Sequence, residues 1–178
     1  MKNNHTKLQQ VPTTQHDSRA RRTALTALMV SLALIFSYIE FLIPFTPAIP
    51  GIKLGIANLV IIVALYYLGR YALTVNIVRV LIAGLLFSGV FGAAYSMAGA
   101  LLSFLVMVLL KKTDLFSITG VSIAGGVAHN LGQILVASFL VSNLKMFAYF
   151  PVLIFSGVAS GAAIGIISWL ILQRLPRG

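Results

Sequence analysis

SITGVSIAGGVAHNLGQILVASFL, residues 117–140, contains no Asp, Glu, Lys or Arg. It is longer than the roughly 20 apolar residues that carry a helix across the hydrocarbon core of a bilayer. Its centre, Ala128-His129-Asn130-Leu131-Gly132-Gln133, places three strongly hydrogen-bonding side chains where the rest of the run reads as membrane-buried. Such groups are costly in hydrocarbon unless they have partners. The cluster therefore calls for either a helix-to-helix hydrogen-bond network or a ligand.

Composition extends this reading to the whole chain. Charged residues make up 9% of the 178 residues against about a quarter in soluble domains, and 59% are hydrophobic. An all-α integral membrane protein is expected, and little is left after residue 22 for a soluble catalytic domain. Cysteine is absent, which excludes thiolate metal sites, iron–sulfur clusters, thioether-linked haem and disulfides.

Apolar runs and their breaks predict six spans, at about 23–43, 54–69, 73–90, 93–110, 117–140 and 148–173. The breaks are Pro44, Pro47, Pro50 and Gly51, then Gly69-Arg70, Ser88-Gly89 with Gly92, and Lys111-Lys112-Thr113-Asp114. Ser142, Asn143 and Lys145 follow the fifth span, and Pro151 sits in the first turn of the last helix, where it is tolerated. The division expected is a disordered tail over 1–22, a six-helix transmembrane domain over 23–174 and a short tail over 175–178. A cleaved signal peptide fits poorly, because no small-residue cleavage site follows the first apolar run.

Basic residues concentrate on the cytoplasmic side of membrane proteins. With the N-terminus inside, Lys2, Lys7, Arg19, Arg21, Arg22, Arg70, Lys111, Lys112, Arg174 and Arg177 fall inside, whereas Lys53 and Lys145 fall outside. Both termini are thus expected in the cytoplasm. The formal charge of +10 follows from this topology and from contact with the anionic lipid of the bilayer, so no nucleic-acid partner is expected.

Small residues four apart let helices approach closely in lipid. Gly157, Gly161 and Gly165 form such a stripe on the last span, read as intramolecular packing. Thr23, Ala27 and Ser31 form another on the first, where packing and partner docking compete.

On the fifth helix Ser122, Gly126, His129 and Gln133 fall within an arc of about 60°, with Asn130 about 70° from its centre. Ser96, Gly99, Ser103 and Met107 share a face of the fourth. The two faces suit a lined cavity or a tight seam. An imidazole at mid-membrane can bind a ligand or move a proton, so His129, Asn130 and Gln133, facing Ser96 and Ser103, are the candidate ligand-binding residues.

Arg79 lies on the order of 10 Å into the third helix, with backbone carbonyls, Asn76 or an anionic ligand as its candidate partners. Glu40, near the outer end of the first helix, and Asp114, in an inner loop, are expected at other depths. Lys53 precedes Asn58 at the outer mouth, where a Lys53–Glu40 pair competes with a role in receiving ligand.

The chain has no GxxxxGK[ST] loop, so ATP-driven work would require another protein. Its three carboxylates, Asp17, Glu40 and Asp114, are scattered, leaving no pair to hold Mg²⁺ on a diphosphate and none near His129 for nucleophilic catalysis. Neither enzymatic activity nor a cofactor is expected of this chain alone.

The runs Lys53-Leu-Gly-Ile-Ala-Asn58, Ser96-Met-Ala-Gly-Ala-Leu-Leu-Ser103, Ala128-His-Asn-Leu-Gly-Gln133 and Pro151-Val-Leu-Ile-Phe-Ser-Gly157 resemble the Gx transporter family, also labelled heptaprenyl diphosphate synthase component I. The resemblance covers about residues 24–173. It implies a six-helix bundle similar to the substrate-binding S components of energy-coupling-factor transporters, in a bacterial plasma membrane. The partners implied are a small-molecule ligand, anionic or isoprenoid, a transmembrane scaffold protein and cytoplasmic ATPases. Thr23, Ala27 and Ser31 fall where S components carry a small-residue docking face. Family members are also similar to proteins found with quinone-synthesis and flavin-based extracellular electron-transfer genes, which implies the alternative of an accessory membrane subunit for prenyl diphosphate or quinone synthesis or for such electron transfer.

Overall fold

The computed structural model describes residues 15–43 and 55–175, with side chains from residue 19 onward. Six α-helices follow one another: α1 (Gln15–Leu42), α2 (Ile56–Tyr67), α3 (Tyr71–Phe87), α4 (Gly89–Thr113), α5 (Ile118–Val141) and α6 (Phe150–Arg174), with a 3-10 turn (Leu144–Tyr149) leading into α6. No strand occurs among the described residues. Helix α1 begins at Gln15, ahead of the boundary at 22 expected for the tail.

Four helices, α1, α4, α5 and α6, are long and apolar enough to cross a membrane. Helices α2 and α3 depart from the expected spans over 54–69 and 73–90. At 12 and 17 residues they reach about 18 and 25 Å, short of a hydrocarbon core of about 30 Å. The apolar run encodes burial rather than length here, because α2 is enclosed by protein: Val60 through Leu65 are all buried. A helix apolar on every side belongs in the interior of a bundle. It packs against α1, α3 and α6.

A helix that stops short inside a bilayer must have its terminal backbone groups met by protein. At the start of α2, the Gly55 N–H donates to Glu40 Oε1 of α1 at 2.5 Å. Gly55 has φ +72°, a left-handed conformation that glycine adopts without strain. At the other end, Lys111 Nζ of α4 donates to the Leu65 carbonyl at 2.7 Å and lies 4.7 Å from the centroid of the Tyr66 ring. A cation at a helix C-terminus meets both its free carbonyls and its dipole.

The most extensive packing is of α5 against α6 and of α4 against α5. A Cβ on Gly126 would lie 2.5 Å from Gly157 O, one on Gly161 2.7 Å from Ile123 Cα, and one on Gly165 2.7 Å from Thr119 Cα. The Gly157, Gly161 and Gly165 stripe thus lies in the α5–α6 seam, backbone against backbone. On the opposite flank of α5, a Cβ on Gly132 would lie 2.8 Å from Ala98 O, and one on Gly125 2.7 Å from Met107 Cγ, both on α4. Thr23, Ala27 and Ser31 are exposed on α1, where Ser31 Oγ donates to Ala27 O at 3.1 Å.

Candidate functional site

The two seams of α5 diverge, and the site lies between them. Measured around α5 from Ser122, the residues touching α4, Gly125 and Gly132, point to about −70°. Those touching α6, Gly126 and Asn130, point to about +40° and +80°. His129 and Gln133, at about −20° and +20°, occupy the wedge. There the bundle opens into a cavity of about 340 Å³.

Every helix contributes to its wall. From α1 come Ser37, Glu40 and Phe41; from the start of α2, Gly55 and Asn58; from α3, Arg79, Ala83, Gly84 and Phe87; from α4, Ser96; from α5, Gly126, His129, Asn130 and Gln133; and from α6, Ser160. These residues lie toward the C-terminal ends of α1 and α3, around the middle of α5 and in the N-terminal halves of α2, α4 and α6. Arg70, Lys111 and Arg174 lie at the opposite ends of those helices. The shortness of α2 makes the room, since its first turn forms the cavity floor instead of continuing through it.

The polar stripe of α5 divides between structure and cavity. Ser122 Oγ donates to Gly161 O at 2.6 Å, and Asn130 Nδ2 donates to Leu153 O at 2.7 Å, so both tie α5 to α6. Asn130 also borders the cavity. His129 and Gln133 pack against α4 at Gly99, where a Cβ would lie 2.7 Å from Gln133 Cγ and 3.2 Å from His129 Cε1. The absence of a side chain at Gly99 gives both residues their place.

Arg79 is held by amides rather than by backbone carbonyls. Its Nη2 donates to Asn58 Oδ1 at 3.4 Å and to Asn76 Oδ1 at 3.3 Å, and Asn76 Nδ2 donates in turn to Ala100 O at 3.1 Å. The network joins α2, α3 and α4. Arg79 Nε has no hydrogen-bond partner and less than 1 Å² of surface. Both atoms that accept from Arg79 are neutral, so among the described residues no charged partner lies within hydrogen-bond reach of it.

The structure brings together Asn58, Arg79, Ser96, His129, Asn130 and Gln133 of the residues picked out by sequence. Ser103 does not join them. It is buried in the α4–α5 seam, with its Oγ 3.3 Å from the position of a Cβ on Gly125. Ser96 and Ser103 do share a helical face, but seven residues separate them by about 10 Å along the axis, and only Ser96 reaches the cavity. Lys53 lies outside the described residues. Glu40 and Arg79, expected at different depths, line the same cavity, because α3 is short and both side chains are long.

Phe41 and Phe87 supply a wall that the sequence reading missed. Their rings stack with centroids 4.8 Å apart and planes 17° from parallel. Aromatic residues at helix ends are ordinary in a membrane protein, so nothing in the one-dimensional pattern marks these two. Ser37 and Ser160 carry no signal either. Each donates to a backbone carbonyl of its own helix, Ser37 Oγ to Ala33 O and Ser160 Oγ to Ser156 O, both at 2.9 Å.

Such a chamber can desolvate a small polar molecule and orient it between a guanidinium, a carboxylate, amides, an imidazole and two aromatic rings. No curated protein and no solved structure matches the chain. A family model described as heptaprenyl diphosphate synthase component I matches residues 29–171, which include part or all of every helix that lines the cavity, and the chain belongs to that family.

Proposed function

We propose that this protein is the membrane-embedded substrate-binding subunit of a small-molecule uptake transporter, similar to the S component of an energy-coupling-factor system and non-catalytic by itself. One observation carries the reading: six helices converge polar side chains on a partly open cavity of about 340 Å³ inside an otherwise apolar bundle. Each buried polar group costs free energy unless it is used, and a ligand is a use that packing alone does not provide. The volume is near the lower end of the range for small-molecule sites.

The distribution of basic residues supports a plasma-membrane topology with both termini in the cytoplasm. The cavity then opens toward the outer face, the side from which an imported nutrient arrives. The exposed Thr23, Ala27 and Ser31 face of α1 is the docking surface this reading assigns to a transmembrane scaffold, which couples the subunit to cytoplasmic ATPases.

The family description favours a second reading, an accessory membrane subunit of prenyl diphosphate or quinone synthesis. The chamber argues against a role in holding the product, since a heptaprenyl chain is far longer than this volume can enclose. Native mass spectrometry of the detergent-purified full-length protein tests the first reading. A retained polar small molecule that disappears in H129A/Q133A, with the helical content intact, supports it. A retained isoprenoid that survives the double substitution supports the second reading.

A further inference from the structure

The cavity carries a charge pattern that narrows what can fill it. Arg79 and Glu40 are the Arg, Lys, Asp and Glu residues of its described lining, one of each sign, so their formal charges cancel. Glu40 Oε1 is fixed by the Gly55 N–H. Arg79 is oriented by Asn58 and Asn76, yet these amides are neutral, and its Nε has no hydrogen-bond partner. No ion pair joins Arg79 to Glu40 among the described residues. Two opposite charges that line one cavity without forming an ion pair make a dipolar site.

In a medium of low dielectric, a ligand is favoured when its charges are the complement of its site, and each unmatched charge costs heavily. A diphosphate would bring two or more negative charges to one guanidinium and set them against Glu40. A carboxylate brings one, and its planar geometry suits a guanidinium. Glu40 in turn favours an ammonium or another N–H donor. The stacked Phe41 and Phe87 rings offer an apolar surface for the body between the two ends.

Resting on the reading of the cavity as a ligand site, we propose that its ligand is a compact amphoteric molecule of net charge near zero, with a carboxylate held at Arg79 and a cationic or N–H-donating group at Glu40. The same pairing of charges occurs in zwitterionic lipid headgroups, so the test must separate a free aminocarboxylate from a headgroup.

The experiment uses the full-length protein in detergent and the ω-amino acids from glycine to 6-aminohexanoate as a ruler of charge separation. Acetate, pyrophosphate and glycerophosphoethanolamine serve as comparisons. The readouts are ligand-dependent thermal stabilisation and the side-chain ¹⁵Nε resonance of Arg79. The expected result is one optimum chain length that stabilises the protein saturably and shifts the Arg79 signal, binding at least tenfold more tightly than acetate. E40Q abolishes that preference for the ammonium-bearing ligand, and R79Q abolishes binding. Where R79Q fails to fold, the wild-type ¹⁵Nε shift decides alone.

Tighter binding of pyrophosphate than of every ω-amino acid overturns the charge assignment but leaves the cavity as a ligand site. Tighter binding of glycerophosphoethanolamine transfers the site to a lipid headgroup and overturns the aminocarboxylate. If none of the probes moves the Arg79 resonance at 100 mM, the proposal fails, and if the purified protein also retains no small molecule, the ligand-site reading fails with it.

Discussion

Glu40 and Gly55, fifteen residues apart in sequence, are joined by a 2.5 Å hydrogen bond from the Gly55 N–H to the Glu40 carboxylate. The bond fixes where α2 begins, and so where the cavity floor lies. It also places a negative charge at the positive end of the α2 dipole. Helix α2 is thereby held by Glu40 at its start and by Lys111 at its end, two charged side chains from neighbouring helices.

Replacing Glu40 separates these roles. Glu40→Gln keeps an acceptor for the Gly55 N–H and is expected to cost under about 1 kcal/mol of stability. Glu40→Ala leaves that N–H without its partner and is expected to cost about 1–3 kcal/mol. Thermal unfolding of both variants in the same detergent checks the order. Equal losses would show that the carboxylate serves charge rather than the backbone.

At the opposite end of α2, Lys111→Met removes the donor to the Leu65 carbonyl and the contact with the Tyr66 ring. A loss of about 1–2 kcal/mol is expected, with ligand binding unchanged, since Lys111 lies at the far end of the bundle from the cavity. Parallel unfolding and binding curves on one preparation test it. A binding defect as large as the stability defect would count against a floor that is set at Glu40 alone.

The membrane class and the number of helices were legible because they depend on apolar run length and on Pro, Gly and charge at the breaks. The shared direction of Ser122, Gly126, His129 and Gln133 was legible too, since helical periodicity fixes direction around an axis, but not their division between seam and cavity. What periodicity cannot fix is depth and the far partner. Ser103 shares the face of Ser96 yet lies about two turns deeper, and Arg79 and Glu40 meet one cavity from helices whose relative height no one-dimensional pattern encodes. The limits of α2 were close to the expected run over 54–69, whose flanks carry Lys53 and Arg70; what no pattern encoded is that its end groups are met by Glu40 and Lys111 on other helices.

The division of the α5 stripe gives opposite expectations for neighbouring residues. His129→Ala and Gln133→Ala remove cavity-lining groups packed at Gly99 and are each expected to weaken ligand binding at least tenfold. Ser122→Ala removes a 2.6 Å bond to Gly161 O and is expected to cost about 0.5–1.5 kcal/mol of stability without changing affinity. Binding isotherms with whatever molecule the purified protein retains, set beside unfolding midpoints, separate the two classes. If Ser122→Ala weakens binding as much as His129→Ala, the wedge between the two seams is not the site.

Gly157 tests how rigid the α5–α6 seam that flanks that wedge is. A Cβ there would sit 2.9 Å from Val127 N and 3.0 Å from Gly126 C, both backbone atoms that cannot swing aside as a side-chain end does. Gly157→Val must therefore push α6 away from α5, at an expected cost of about 2–3 kcal/mol or more. Gly126, whose own Cβ position lies 2.5 Å from Gly157 O, also borders the cavity, so the displacement reaches the cavity wall. Binding should fall together with stability in Gly157→Val. In Gly165→Ala, two turns further along the seam and against Thr119, stability should fall while affinity stays at the wild-type value. Equal affinity losses in the two variants would mean that the seam moves as one rigid body and that the cavity does not depend on the local approach of Gly126 to Gly157.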